Sequence, residues 1–323
     1  MTRPQVFITR KIFAEALDRI VEAADMDVWP DELPPSYEVL VEKTRNADGL
    51  LCMLSDRVDA ALLEACPKLK VISTMAVGYD NIDITAATTR GIRVGNTPGV
   101  LTETTADMIW ALLMAAARRI VEADRFTRDG NWKTWTPMGL LGQDIHHATI
   151  GIIGMGRIGT EVAKRARGFD MNILYYSRTR KSPEDEARLG LEYVDEMADL
   201  LSRSDFISLH VPLTEETKNL IGAPEFTLMK PTAVFVNASR GAVVDQQALY
   251  EALKNNTIFS AGIDVTVVEP IPADDPLLTL PNLVIAPHIG SASFPTRKTM
   301  ALMAADNLLA GLRGEIPPNC VNP

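Results

Sequence analysis

Cysteine is scarce in this chain: Cys52, Cys66 and Cys320 are the only three among 323 residues. They are odd in number, widely spaced and form no C-x-x-C pair, which excludes a disulfide framework and a cysteine-held zinc site. No metal is expected. Long apolar runs are missing too. The longest, Met108–Ala117, is far too short to span a bilayer, and Met1–Arg10 reads as a strand with basic residues around it, without a signal-peptide core. Basic charge is also in deficit, with 32 Lys and Arg against 42 Asp and Glu, a net charge of −10 and a pI near 5.0. That balance argues against nucleic acid and against an anionic membrane surface as partners. It also requires any anion site to be a local basic pocket. Low-complexity segments and internal repeats are absent. The expectation is a soluble, cytoplasmic protein.

Enough is present for two cores. A hydrophobic content of 46% with 23% charged residues is that of ordinary globular proteins, and the length suits two domains of about 150 residues each. Short β-rich runs alternate with helical patterns from the start. Val6–Thr9, Val28–Trp29, Gly49–Met53, Val71–Met75 and Ile92–Val94 read as strands, with helical stretches at Ile12–Ala24, Ala60–Ala65 and Ile84–Thr89 between them. One long helix, Thr102–Arg125 with Thr102 as N-cap, and a Gly/Trp-rich segment, Gly130–Gln143, lead to a second series. Its strands are Thr149–Ile153, Asn172–Tyr176, Phe206–His210, Ala233–Asn237, Ser260–Val265 and Leu283–Ala286, closed by a helix at Pro295–Leu312. Alternation of this kind predicts two doubly wound α/β domains with parallel sheets, whose ligands sit at strand C-termini.

The second series opens on a phosphate-binding pattern. The strand ending at Ile153 runs into Gly154-x-Gly156-x-x-Gly159 and then into a predicted helix, Thr160–Arg167. In that context Gly154 makes the tight turn, Gly156 admits a pyrophosphate to bare backbone, and Gly159 lets helix and strand pack closely. An NAD site would carry Asp or Glu after the next strand, on the ribose 2′-hydroxyl. This chain has Ser177, Arg178, Thr179, Arg180 and Lys181 there. Hydroxyls and two guanidiniums suit a 2′-phosphate, where a carboxylate would repel it. NADP(H) is therefore the preferred cofactor, with NAD(H) possible. The same run also suits a solvated loop ahead of an acidic helix, Glu184–Arg188.

Three polar residues follow strand ends in this series: Arg240 in N-A-S-R-G, Glu269 in V-V-E-P and His288 in A-P-H-I-G. Singly, each has a bland role as a turn cap, a solvated carboxylate or a core histidine. Together they suit reduction of a 2-oxo acid. Arg240 grips the carboxylate as a bidentate fork, His288 gives the carbonyl oxygen a proton as hydride reaches carbon, and Glu269 orients the ring and favours its charged form.

These motifs, with L-H-V-P-L-T at 209–214, S-T-M-A-V-G-Y-D-N-I-D at 73–83, L-T-E-T-T-A-D at 101–107 and W-K-T-W at 132–135, resemble the D-isomer-specific 2-hydroxyacid dehydrogenases over essentially the whole chain. The branch most similar is that of the glyoxylate/hydroxypyruvate reductases. The resemblance implies a flavodoxin-like substrate domain, 1–99 and 290–323, interrupted by a Rossmann NAD(P)-binding domain, 100–289. It further implies that the N–H groups of Val77 and Gly78 bind the substrate carboxylate, and that Arg157 and Ile158 offer theirs to the pyrophosphate. Thr105, Ala238, Ser239 and Gly290 would contact the cofactor, while Val211, Pro212 and Thr217 would line its adenosine side. Asp264 would hold the nicotinamide carboxamide. His210 would stack on or hydrogen-bond to the cofactor without acting as a second acid, and His146 and His147 have no implied role. The family forms homodimers, and Trp135 stands where a tryptophan of relatives enters the neighbouring subunit's pocket; interface packing alone is the other reading. Rival readings are a larger 2-keto aldonate reductase, oxidation of formate or phosphite on the same fold, and a nucleotide-sensing corepressor scaffold. The scaffold would bring long disordered tails that this chain lacks.

Overall fold

In the computed structural model, which describes residues 3–323, every ladder of both sheets is parallel. Met1 and Thr2, at the start of the expected N-terminal strand region, lie outside the described residues. One unit ends at Leu101 and resumes at Ala292–Pro323; the other is the continuous stretch Thr102–Ser291.

The first unit holds β1 (Gln5–Ile8), β2 (Asp25–Val28), β3 (Gly49–Cys52), β4 (Val71–Thr74) and β5 (Arg93–Gly95), in the order β2-β1-β3-β4-β5. This is the flavodoxin-like order. Side chains alternate across the sheet, as strand geometry demands. Phe7, Leu50, Ile72 and Val94 pack on one face, and Val6, Ile8, Leu51 and Val71 on the other. The second face is covered by the helix Phe294–Leu312, through Met300, Ala304 and Leu308. Ser293 caps that helix, and Pro295 in its first turn needs no N–H donor there. Each fully buried Leu or Ile contributes about 1.5–3 kcal/mol.

The second unit holds β6 (Thr149–Ile153), β7 (Asn172–Tyr176), β8 (Leu191–Tyr193), β9 (Phe206–Leu209), β10 (Val234–Asn237), β11 (Ser260–Ile263) and β12 (Leu283–Ile285). Their order, β12-β11-β10-β9-β6-β7-β8, reverses direction between β6 and β9. That is the switch point of a Rossmann sheet, with one strand added at the edge. β9, β10 and β11 are buried along their whole length, because helices cover both faces.

Local differences from expectation have physical causes. The single long helix is two: Thr102–Ala117 and Ile120–Arg128, with Arg119 left-handed at φ 54°. Nothing in Ala116-Ala117-Arg118-Arg119 breaks a helix. The stop is tertiary, since the N–H of Gln143 takes the Ala117 carbonyl at 2.9 Å and Arg119 forks onto Glu122. Thr102 is the first helical residue, not the cap. The fingerprint helix starts at Arg157, three residues earlier than expected, with Gly156 as its cap. β8 was not evident in the sequence: it is an edge strand of three residues with only Leu191 buried.

Candidate active site

β6 and β9 lie side by side although two strands separate them in the chain, so the glycine turn after β6 meets the H-V-P turn after β9. Gly154 has φ +95°, and a Cβ there would stand 2.7 Å from the His210 carbonyl oxygen. No other residue fits both the angle and the approach. A Cβ on Gly159 would overlap the Gly154 carbonyl oxygen, which brings helix and turn together. Gly156 differs, because a Cβ there would meet nothing within 4 Å. Open space faces the bare backbone, and the first-turn N–H groups of Arg157 and Ile158 have no helical acceptor. The donor set and the room fit a dinucleotide pyrophosphate.

The remaining predicted cofactor contacts flank this turn. His210 shares a hydrogen bond of 2.8 Å between its Nε2 and Ser208 Oγ, and burial drives its pKa down to about 3. It stays neutral at any working pH. Val211 and Pro212 begin the next loop, whose shape is held by Thr217: its Oγ1 donates to the Pro212 carbonyl at 2.6 Å and accepts from Thr214 N–H at 2.8 Å. After β7, Ser177 is half-buried while Arg178 and Thr179 are exposed. Arg178 makes no hydrogen bond or ion pair among the described residues; the nearby Glu216 carboxyl is held low chiefly by the Thr214 side chain, with the Arg178 charge as a lesser cause.

Arg180, the other guanidinium of the run, already has partners in the same stretch of chain. It is committed to Glu186 through two bonds of 2.8 and 2.9 Å, and its guanidinium lies 4.9 Å from the centre of the Tyr193 ring. Arg180, helped by the Tyr175 hydroxyl, holds Glu186 down at about 2. Tyr175 OH also accepts from Lys181 N–H at 2.9 Å. Arg180 thus braces the loop, while the Arg178 side chain stays exposed.

The ends of β10, β11 and β12 carry the polar trio. Asn237, 2% exposed at the end of β10, accepts from Ser239 N–H and Oγ and donates to the Arg240 carbonyl at 3.0 Å. It shapes the turn through Ala238 and Ser239 that presents Arg240. The next residue, Gly241, lies so near the Thr266 carbonyl that a Cβ would overlap it. The Arg240 turn is thereby pressed against the loop that bears Glu269. Glu269 Oε1 accepts from Thr266 N–H at 3.1 Å, and Oε2 lies 2.7 Å from His288 Nδ1. Burial pushes the Glu269 carboxyl up, but the His288 bond and charge, the Thr266 N–H and the Arg240 charge outweigh it and hold the group below its ordinary value.

His288 itself is left-handed, at φ 54°, which is uncommon for a residue with a side chain. Asp264, buried at the end of β11, enforces it. The Asp264 carbonyl accepts from His288 N–H at 2.9 Å, and its two carboxylate oxygens accept from Ile289 and Gly290 N–H at 2.7 Å each. Burial raises the Asp264 carboxyl above its ordinary range, and these two N–H groups restrain the rise. A Cβ on Gly290 would stand 3.0 Å from Asp264 Oδ2 and 3.4 Å from Thr105 Cγ2, so those two side chains converge there. A mostly apolar cavity of about 350 Å³, lined by Pro270, Ile271, Leu278 and Ile285, adjoins the Glu269–His288 pair. The roles of Asn237, Gly241 and the Asp264 clamp went unread in the sequence, although an Asn and a Gly flanking A-S-R marked a shaped turn.

In the other unit, Val77 and Gly78 follow β4 in a half-buried bend, and neither N–H has an acceptor among the described residues. Trp135 is 79% exposed. Among the described residues no cluster of His, Cys, Asp or Glu could hold a metal ion, and no helix is long and apolar enough to cross a membrane.

A glycine turn at the switch point of a parallel sheet, with a carboxylate-held histidine at neighbouring strand ends, defines an NAD(P)-dependent dehydrogenase. Residues 110–290 match the model of the D-isomer specific 2-hydroxyacid dehydrogenase, NAD binding domain, and the chain belongs to that family. It is 57% identical to a glyoxylate reductase of Korarchaeum cryptofilum, over 99% of this chain and 96% of that protein. With a glyoxylate reductase of Thermococcus litoralis the identity is 54%, over 99% and 97%. The crystal structure of the NADPH-dependent glyoxylate/hydroxypyruvate reductase of Sinorhizobium meliloti with NADP and malonate superposes with a TM-score of 0.87, at 31% identity over 99% of this chain and 97% of that one. A glyoxylate reductase from Paecilomyes thermophila gives 0.86 at 32% identity, over 99% of each chain.

Proposed function

We propose that this enzyme reduces a small 2-oxo acid, glyoxylate or hydroxypyruvate, to the D-2-hydroxy acid (glycolate from glyoxylate), preferring NADPH. The observation that carries the chemistry is the 2.7 Å contact between His288 Nδ1 and Glu269 Oε2. It orients the ring so that Nε2 is the nitrogen left for substrate, and it sets a carboxylate against the imidazolium. When bound, the nicotinamide supplies the hydride that the carbonyl carbon accepts. His288 delivers a proton from Nε2 to the carbonyl oxygen, and the neutral ring takes a proton back from solvent. Arg240 and the N–H groups of Val77 and Gly78 receive the carboxylate, which selects the carbonyl beside it. Asp264 fixes the His288 turn and retains lone pairs for the carboxamide of the cofactor.

NADPH preference is supported by Arg178, exposed and without hydrogen bond or ion pair among the described residues, together with Ser177, Thr179 and the exposed guanidinium of Arg180 on the same loop. Gly154, Gly156, Gly159, Arg157 and Ile158 hold the pyrophosphate. Thr105, Ala238, Ser239 and Gly290 line the nicotinamide half, and His210, Val211, Pro212 and Thr217 the adenosine half. The enzyme works in the cytoplasm on this reading, as a homodimer; the assembly is supported by the exposed apolar side chains Ile120, Trp132, Trp135, Met138 and Leu141, which a second copy would cover. Trp135 would then reach the neighbouring subunit's site. Initial rates with NADPH and NADH, each against glyoxylate, hydroxypyruvate and a C6 2-oxo acid, test the assignment. Higher efficiency with NADH, or with the C6 acid, would overturn it; light scattering at the monomer mass would overturn the dimer.

A further inference from the structure

The first unit contains a buried hydrogen-bond relay that the reaction described above does not use. Two successive carbonyls in the bend after β4 are tied down. Thr97 N–H donates to the Ala76 carbonyl at 2.8 Å, and Asn96 Nδ2 donates to the Val77 carbonyl at 2.8 Å. A trans peptide sets its N–H opposite its C=O. Anchoring the Ala76 carbonyl therefore turns the Val77 N–H away from residues 96 and 97. Anchoring the Val77 carbonyl does the same to the Gly78 N–H. These are the two N–H groups that have no acceptor among the described residues.

Asn96 is itself held firmly. It is 8% exposed; its N–H donates to the Asn319 carbonyl at 3.1 Å, and its carbonyl accepts from Asn307 Nδ2 at 2.8 Å. Asn307 is fully buried on the helix Phe294–Leu312, and its Oδ1 accepts from Asn319 N–H at 3.0 Å. Gly95 makes room, since a Cβ there would stand 2.8 Å from Asn307 Cβ. Two buried amides are a poor way to fill a core, because each must be fully satisfied to avoid a penalty. Here they form a chain that ends on one peptide plane, that of Val77 and Gly78.

We propose that Asn96, seated by Asn307, is a positioning residue for the substrate: it presets the Val77–Gly78 peptide so that its N–H is aimed before a carboxylate arrives. The inference rests on the reading that these two N–H groups bind the substrate carboxylate. Donors held in place need no reordering on binding, which is where preorganisation acts.

The test compares Asn96→Ala and the near-isosteric Asn96→Asp with wild type on glyoxylate and on glycolaldehyde, which lacks the carboxylate. With the amide donor lost, efficiency on glyoxylate should fall about tenfold, the scale of one weakened charge-assisted hydrogen bond. The inhibition constant of oxamate should rise by the same factor, while glycolaldehyde turnover and the KM for NADPH change less than about threefold. Asn307→Ala should show the same selectivity with a smaller drop. Equal losses on both substrates would mean that Asn96 only maintains the fold, and no loss would mean that the peptide holds without it; either overturns the proposal. If the Ala variant does not fold, the Asp variant is judged by the same ratio. If wild type itself turns over glycolaldehyde as efficiently as glyoxylate, the carboxylate reading falls first and takes the relay with it.

Discussion

Replacing Glu269 by Gln removes one negative charge and almost no volume, so its effects report on the charge. Both oxygens are in use, Oε1 by Thr266 N–H at 3.1 Å and Oε2 by His288 Nδ1 at 2.7 Å. Because the folded-state pKa of Glu269 lies below its ordinary value, the group is ionised through the neutral range. It loses its charge only as pH falls below that ordinary value. Glutamine cannot satisfy both neighbours. If its oxygen keeps the Thr266 N–H, its amide donor faces Nδ1, which accepts only in the neutral ring. If the amide turns over, the Thr266 N–H meets a donor. A charge-assisted hydrogen bond is worth about 1.5–3 kcal/mol, and side-chain exposures of 29% and 31% put this one at the lower end. About 1.4 kcal/mol is tenfold in rate. The reductive kcat should therefore fall roughly tenfold at neutral pH. The variant should also lack the loss of rate that wild type shows as pH falls through the lowered Glu269 pKa, because glutamine has no charge to lose. Steady-state rates on glyoxylate across the pH range measure both effects. An acid-side loss of rate unchanged from wild type would refute the coupling, however large the drop in kcat.

Three further variants probe other parts of the site. Arg178→Ala should raise the KM for NADPH by about one to two decades, the scale of one charged contact, and leave that for NADH nearly unchanged; equal shifts would remove Arg178 from the phosphate site. Arg240→Lys keeps the charge but loses the planar fork, so efficiency on glyoxylate should fall while glycolaldehyde suffers little. A matched loss on both would make Arg240 structural. Gly241→Ala forces a Cβ into the Thr266 carbonyl, an overlap expected to cost about 1–3 kcal/mol or more and to lower the Tm by about 2–4 °C per kcal/mol in a unit of this size. Activity should fall with it, since the loop that yields carries Glu269. Unchanged calorimetry and turnover would show that the two turns are not pressed together.

Much of this molecule is local information. The alternation of apolar runs and helical stretches is written residue by residue, and it suffices for two parallel α/β units, because period 2 and period 3.6 already say which faces must be buried. The strand–G-x-G-x-x-G–helix succession is equally local: Gly154, Gly156 and Gly159 lie within six positions, and their demands on backbone angle and space are met by immediate neighbours and one adjoining strand. What lay beyond the sequence is pairing between distant residues. Arg178 and Arg180 are chemically alike in the sequence, yet only the fold of the 175–193 segment ties Arg180 to Glu186 and Tyr193 and leaves Arg178 with no hydrogen bond or ion pair among the described residues. The helix ending at Ala117 stops where no residue type would stop it, because Gln143 returns to take its last carbonyl. Asp264 clamping the His288 turn, and Asn307 reaching Asn96 across 211 positions, depend on crossovers that set which strand ends and which helix face become neighbours. A sequence specifies the capacity of each group to bond. The crossovers decide which capacities meet, and buried polar groups, which cannot be left unpaired, make those meetings binding.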